Sequence, residues 1–71
     1  MTGKALLKIL KSFGCVVLRQ KGSHARVQCG KCFTTVPLHA GEEIGPGLLR
    51  KIEKDVEACL GPRWLTRSLK N

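Results

Sequence analysis

The sequence predicts one small α+β domain in which a helix, three antiparallel strands and a second helix follow one another. Three observations lead to this prediction. Apolar residues recur with helical spacing near both ends of the chain, the middle alternates apolar and polar residues, and glycines separate the segments. A chain of 71 residues has room for only one hydrophobic core. Both helices are therefore expected on one face of the sheet, which leaves the opposite face free.

The first helix is predicted over residues 3–13. Four apolar residues share one side of it: Leu6, Ile9, Leu10 and Phe13. Three lysines on the other side are expected in solvent: Lys4, Lys8 and Lys11. Thr2 can cap the first turn and Gly14 can end the helix.

Three strands are predicted over residues 15–20, 23–29 and 33–37, with a turn at Lys21-Gly22 and a type II′ turn at Gly30-Lys31. Pro37 ends the third strand or marks a sheet edge. Side chains alternate between the two faces of a strand, so the residues of the second strand divide into an inner and an outer group. The inner group is Ala25, Val27 and Cys29, and the outer group is His24, Arg26 and Gln28.

The second helix is predicted to begin near Pro46 and to stop at Gly61-Pro62. Its apolar stripe consists of Leu48, Ile52, Val56 and Leu60. We expect a domain over residues 1–60 followed by a basic extension over residues 61–71. The extension either forms a short helix docked on the domain, binds a partner or is frayed. The complete element order is that of the double-stranded RNA-binding fold.

The charge distribution favours a polyanionic partner. The net charge is +8, and the first 41 residues hold seven of the thirteen Lys and Arg but no Asp or Glu. Nucleic acid is the first expectation, an acidic protein the second and an anionic membrane the third. The chain has no Tyr and few other aromatic residues, which argues against a wide base-stacking platform. A domain this small also excludes a deep cofactor cavity.

Cysteine usage and hydropathy bear on location. Apolar runs are four residues or shorter, which excludes a transmembrane span, and no secretory signal is visible. We therefore expect a cytoplasmic protein, no membrane contact and reduced thiols. Cys29 and Cys32 have the spacing of half a zinc site, but no second pair supplies four ligands, so hairpin packing is preferred and no metal is expected.

His24 is the candidate for chemistry. RNA cleavage needs a base for the ribose 2′-OH, an acid for the leaving 5′-oxygen and cations that hold the phosphate. A histidine can serve as either proton carrier. The candidate phosphate ligands are Arg19, Lys21 and Arg26. Gly22 lets the backbone come close to a phosphate, and Ser23 offers a hydroxyl. The alternative is that His24 is merely an exposed polar residue.

His39 follows Pro37 in a loop. It is either a second proton carrier or a residue that anchors the loop by a hydrogen bond. Histidines flanked by glycine and proline often fix a turn, which favours the structural role.

Three motifs in order resemble the HicA toxins of bacterial and archaeal toxin–antitoxin modules. They are Gln20-Lys21-Gly22-Ser23-His24, Thr35-Val36-Pro37 with His39, and Gly45-Pro46-Gly47-Leu48-Leu49-Arg50-Lys51-Ile52. The resemblance covers about residues 4–57. It implies a double-stranded RNA-binding-like fold, mRNA interferase activity without a metal or other cofactor, and His24 as the catalytic residue. It also implies a HicB-type antitoxin that binds the same face.

Together these observations predict a toxin that cleaves mRNA as a metal-independent endoribonuclease through 2′-OH attack. The rival prediction is a non-catalytic RNA-binding module on the same scaffold, in which His24 is only a contact residue. The chain departs from the family pattern in its Cys29-Gly30-Lys31-Cys32 hairpin and in its continuation beyond the second helix.

Overall fold

The computed structural model describes residues 1–70. Its elements are α1 (Gly3–Ser12), β1 (Val16–Lys21), β2 (His24–Cys29), β3 (Cys32–Pro37), α2 (Pro46–Asp55), α3 (Glu57–Leu60) and α4 (Trp64–Ser68). The strands form one antiparallel sheet in the order β1-β2-β3. The predicted α+β class and its helix–strand–strand–strand–helix order are confirmed, and α3 and α4 follow as two short additional helices.

Helix α1 is defined by its cap and its apolar side. The Oγ1 atom of Thr2 accepts a hydrogen bond from the Ala5 N–H at 3.2 Å, as expected of an N-cap. Leu6 and Leu10 are fully buried in the core. The helix ends at Ser12, and Gly14 reverses the chain with a φ of +88°.

The alternation in β2 sets the two faces of the sheet. Ala25, Val27 and Cys29 are buried as predicted, and their β3 neighbours Thr34 and Val36 are buried beside them. Gly30 has a φ of +61°, as a type II′ turn requires of its first central residue. The β1–β2 turn lies one residue later than the predicted Lys21-Gly22, because the hydrogen-bonded ladder continues to the pair formed by Lys21 and His24.

Strand β1 contains an irregularity that changes which side chains face outward. Val17 pairs with Val27, but the next pair is Arg19 with Arg26, so Leu18 is an extra residue on β1. In a regular strand Arg19 would share the inner face of Val17, because side chains alternate. The extra residue shifts this phase and brings Arg19 to the outer face opposite Arg26.

The second helix is shorter than predicted. Helix α2 ends at Asp55, and Val56 leaves the helical region with φ −117° and ψ 12° before α3 begins. The prediction of one helix through Leu60 is therefore wrong. The side chain of Val56 is fully buried, so the apolar stripe continues although the backbone breaks. Leu48, the first residue of that stripe, is instead 42% exposed.

The C-terminal extension packs on the domain as a short helix. Trp64 and Leu65 of α4 are buried, and the Trp64 Nε1–H donates to the Glu53 carbonyl oxygen at 2.7 Å. Thr66 donates from its backbone N–H and its hydroxyl to Oε2 of the buried Glu53, at 2.9 and 3.1 Å. Of the three alternatives for the extension, the docked helix is the one observed.

The Glu53 carboxylate has a lowered pKa. Burial is the largest single influence and acts to raise this pKa, but hydrogen bonds from Thr66 and from the Arg50 guanidinium, at 2.6 Å, together outweigh it. The carboxylate therefore stays ionised and connects α2 to α4.

All four cysteines form disulfides, so the expectation of reduced thiols is wrong. Cys15 bonds to Cys29 and Cys32 bonds to Cys59. Cys29 and Cys32 face each other in the β2–β3 hairpin, yet each bonds to a cysteine from another part of the chain. The prediction of simple hairpin packing is thus corrected: one disulfide links β2 to the residue before β1, and the other links β3 to α3. Over residues 1–70, no helix has the length and apolarity needed to cross a membrane.

Candidate functional site

The β1–β2 hairpin collects the residues predicted for the site. Lys21 lies opposite His24, and Arg19 lies opposite Arg26. Residues directly opposite one another in an antiparallel pair have Cβ atoms about 4.5–5.5 Å apart, so these four side chains form one cluster. The intervening turn contains Gly22, with a φ of +59°, and Ser23. All six predicted site residues of this segment, 19, 21–24 and 26, thus lie at one end of the hairpin.

Arg26 has a fixed orientation within the cluster. Its Nη1 donates to the Thr35 hydroxyl at 3.0 Å, and its guanidinium lies 5.5 Å from the centre of the Phe33 ring. Both partners belong to β3 and sit on the outer face. The contacts hold the charge of Arg26 in place, while the guanidinium keeps other N–H groups available for an anion.

The loop after β3 brings His39 to the same end of the sheet. Its Nε2 lies 3.3 Å from the Ser23 hydroxyl, and its ring centre lies 5.9 Å from that of His24 with the planes nearly perpendicular. On the other side of the ring, Nδ1 lies 3.8 Å from Oε2 of Glu42. The sequence predicted a role for His39 but gave no indication that the two imidazoles meet.

A groove of about 260 Å³ opens beside His24 between the sheet and α2. Its lining consists of His24, Arg26, Thr35, Pro37, Leu48, Lys51, Ile52 and Asp55. A neighbouring pocket of about 290 Å³ shares Pro37 and Leu48 with this groove and continues along His39, Glu42 and Glu43. The histidines therefore stand beside a continuous open surface and not in a closed cavity.

Lys51 is the site residue that sequence reasoning missed. On α2 it has the appearance of a solvated lysine, and only the packing of α2 beside β3 brings it across the groove from His24. Its Nζ lies 3.1 Å from Oδ2 of Asp55, which in turn accepts a hydrogen bond from the Thr34 hydroxyl. The available signal was its place in the Gly45–Ile52 motif.

The electrostatics of the cluster favour an anion. Within residues 1–70, the carboxylates pair with the N-terminus, His39, Arg50 and Lys51. None of the ion pairs in that described range involves Arg19, Lys21 or Arg26. Cations held opposite one another without a carboxylate repel, and a bound phosphate removes that repulsion. In the same range, no group of three His, Cys, Asp or Glu residues is arranged to hold a metal ion.

The fold and the site together define a small, basic, single-sheet α+β domain whose open face carries two histidines among cations. A family model described as the HicA toxin of bacterial toxin–antitoxin systems matches residues 3–58. The chain therefore belongs to the HicA toxin family, as the three sequence motifs indicated. No curated protein and no solved structure matches the chain significantly.

Proposed function

We propose that this toxin is a metal-independent endoribonuclease that cleaves mRNA, with His24 as a catalytic proton carrier. The main observation behind the proposal is that cations from three elements lie around His24. Lys21 lies opposite it on β1, Arg26 lies two residues along its own strand, and Lys51 lies across the groove on α2. A phosphodiester held by these cations lies within reach of the imidazole.

The reaction follows from the chemistry of RNA. One imidazole removes the proton of the ribose 2′-OH, the 2′-oxygen bonds to phosphorus, and the bond from phosphorus to the 5′-oxygen breaks. The leaving 5′-oxygen takes up a proton from a second group, which acts as the general acid. The products are a 2′,3′-cyclic phosphate and a 5′-OH, and neither step consumes water or requires a metal.

The binding surface is proposed to extend along the hairpin. Arg19 and Lys21 contact phosphates, Gly22 lets a phosphate approach the backbone, and Ser23 offers its hydroxyl. The open groove suits a polymer that extends beyond the site on both sides. A HicB-type antitoxin is the proposed inhibitory partner, covering this same face. Because the substrate is mRNA, the proposed place of action is the cytoplasm, where the two disulfides have to resist reduction.

The test is cleavage of end-labelled single-stranded RNA in EDTA by the wild type and by His24→Ala. The wild type is expected to leave cyclic phosphate ends. The variant is expected to bind RNA but to cut about 10²–10⁴-fold more slowly, the usual effect of removing a general acid or base. A reaction that EDTA abolishes, or products that carry a 5′-phosphate, would contradict the mechanism.

A matched pair of lysine variants tests the binding surface in the same assay. Lys21→Ala should weaken RNA binding and reduce the salt slope by about 1, because one phosphate contact is lost. Lys8→Ala, on the solvent side of α1, removes the same charge away from the site and should bind like the wild type. If wild type and His24→Ala both shift RNA on a gel and neither cuts, the protein is a binding module.

A further inference from the structure

We propose that His39 is the second proton carrier of the reaction, with a role complementary to that of His24, and that Glu42 is its positioning residue. This inference rests on the proposed ribonuclease function. Transfer of the phosphoryl group from the 5′-oxygen to the 2′-oxygen needs two proton transfers on opposite sides of one phosphorus. When one histidine removes the 2′-OH proton, the other must supply a proton to the 5′-oxygen.

The spacing of the two imidazole rings is compatible with one acting as the base and the other as the acid. Their centres are 5.9 Å apart, and each borders one of the two adjoining pockets. His39 is about half exposed, with 51% of its side chain accessible, so a substrate can reach it. A phosphodiester bound across the mouth of the two pockets contacts both imidazoles at once.

The contacts of His39 favour a catalytic role over a purely structural one. Its ring is approached from both sides, by the Ser23 hydroxyl at Nε2 and by the Glu42 carboxylate at Nδ1. At 3.8 Å the Glu42 carboxylate is too far from Nδ1 for a hydrogen bond, and its negative charge favours a proton on that nitrogen. This arrangement leaves Nε2 as the atom directed toward Ser23 and the β1–β2 hairpin.

The loop that contains His39 is held without its imidazole. The Leu38 N–H donates to the Ser23 carbonyl oxygen, and the Glu42 N–H donates to the His39 carbonyl oxygen at 3.1 Å. The Ile44 N–H donates to the Met1 carbonyl oxygen at 2.8 Å, and the N-terminal ammonium pairs with Glu43. Backbone hydrogen bonds therefore fix the loop at both ends, and the contact between His39 Nε2 and Ser23 is not its only attachment to the domain.

The experiment is the pH dependence of kcat/KM for RNA cleavage in EDTA, measured for the wild type, His39→Asn, Glu42→Gln and His24→Ala. The ionisable groups that surround the two rings, and that remain constant in the comparison, are Lys4, Lys21, Arg26, Glu43, Lys51 and Asp55. The wild type should give a bell-shaped profile, because it depends on one acid and one base.

His39→Asn should lower kcat/KM by about 10²–10⁴-fold and remove one limb of the bell, while RNA affinity stays close to that of the wild type. His24→Ala should remove the opposite limb. Glu42→Gln, which keeps both imidazoles, should retain the bell and displace only the limb that His39→Asn removes. A residue that merely supports the loop would leave both limbs in place.

Two results overturn the inference. One is a His39→Asn protein that keeps a bell-shaped profile and most of its rate, which would leave the proposed ribonuclease intact and assign His39 to structure. The other is a wild-type protein that does not cleave RNA, which removes the ribonuclease function and the inference together. Trp64 fluorescence checks that His39→Asn is folded. If it is not folded, the pH profile of Glu42→Gln decides whether one limb is displaced.

Discussion

Removal of the Cys32–Cys59 disulfide should destabilise the domain strongly without touching the site. The bond joins β3 to α3 across 27 positions of sequence, and Cys59 is exposed on α3. Its loop encloses the segment that carries His39 and the whole of α2. Cys32→Ala/Cys59→Ala therefore removes the covalent limit on this segment in the unfolded chain while creating little empty space around Cys59.

Loop length gives the magnitude. Closing a ring of this size lowers the entropy of the unfolded chain by an amount equivalent to roughly 3.5 kcal/mol at 25 °C. A 71-residue domain has a total unfolding free energy of roughly 4–11 kcal/mol, at about 0.05–0.15 kcal/mol per residue. One bond thus accounts for a large share of stability. At about 4–8 °C per kcal/mol for a domain of this size, the melting temperature should fall by about 14–28 °C.

The assay is thermal and urea unfolding, followed through the buried Trp64 and by circular dichroism. A thiol titration of the wild type in denaturant without reductant provides the control, since the structure leaves no free cysteine over residues 1–70. Four reactive thiols would show that the bonds do not form. A double variant that melts within a few degrees of the wild type would refute the loop-entropy reasoning itself.

Two further predictions concern the packing of the helices. The lowered pKa of Glu53 means that its contribution to stability is complete above the ordinary glutamate value of 4.5 and is lost as pH falls through the lower folded value. Unfolding free energy followed through Trp64 should therefore decline below that pH, and Glu53→Gln should decline less steeply; equal slopes would contradict the assignment. Gly3→Ala should cost about 1–3 kcal/mol of unfolding free energy, because its Cβ would overlap the Pro37 carbonyl oxygen. Gly47→Ala is the control, because there is open space around its Cβ on α2, and it should raise the unfolding free energy by about 0.5–1 kcal/mol. A similar loss of unfolding free energy in both variants would show that the overlap with Pro37 is not the cause.

The sheet could be predicted from the sequence because its signals are local. Alternation in residues 23–29 identified Ala25, Val27 and Cys29 as buried, and a glycine at each turn marked where the chain reverses. The predicted first turn was wrong by one residue, but His24 still lies on the outer face of the sheet, because alternation within β2 decides on which face it lies.

The features that were not predicted depend on contacts between distant parts of the chain. Disulfide partners are chosen by proximity in three dimensions. The spacing of Cys29 and Cys32 suggested half a zinc site or hairpin packing, whereas each of them bonds to a cysteine that is distant in sequence. The break at Val56 is hidden because the apolar stripe continues through it. The meeting of His24 with His39 and Lys51 likewise arises only when α2 and its preceding loop pack beside β3.

The extra residue in β1 also bears on how the chain avoids self-association. β1 lies at an edge of the sheet, and such a strand exposes backbone groups that can pair with a strand from another molecule. The irregularity at Leu18 interrupts the even spacing of those groups, and the cations Arg19 and Lys21 repel an identical edge. The residue that turns Arg19 toward the site therefore also makes β1 a poor template for aggregation while the protein is being synthesised or refolded.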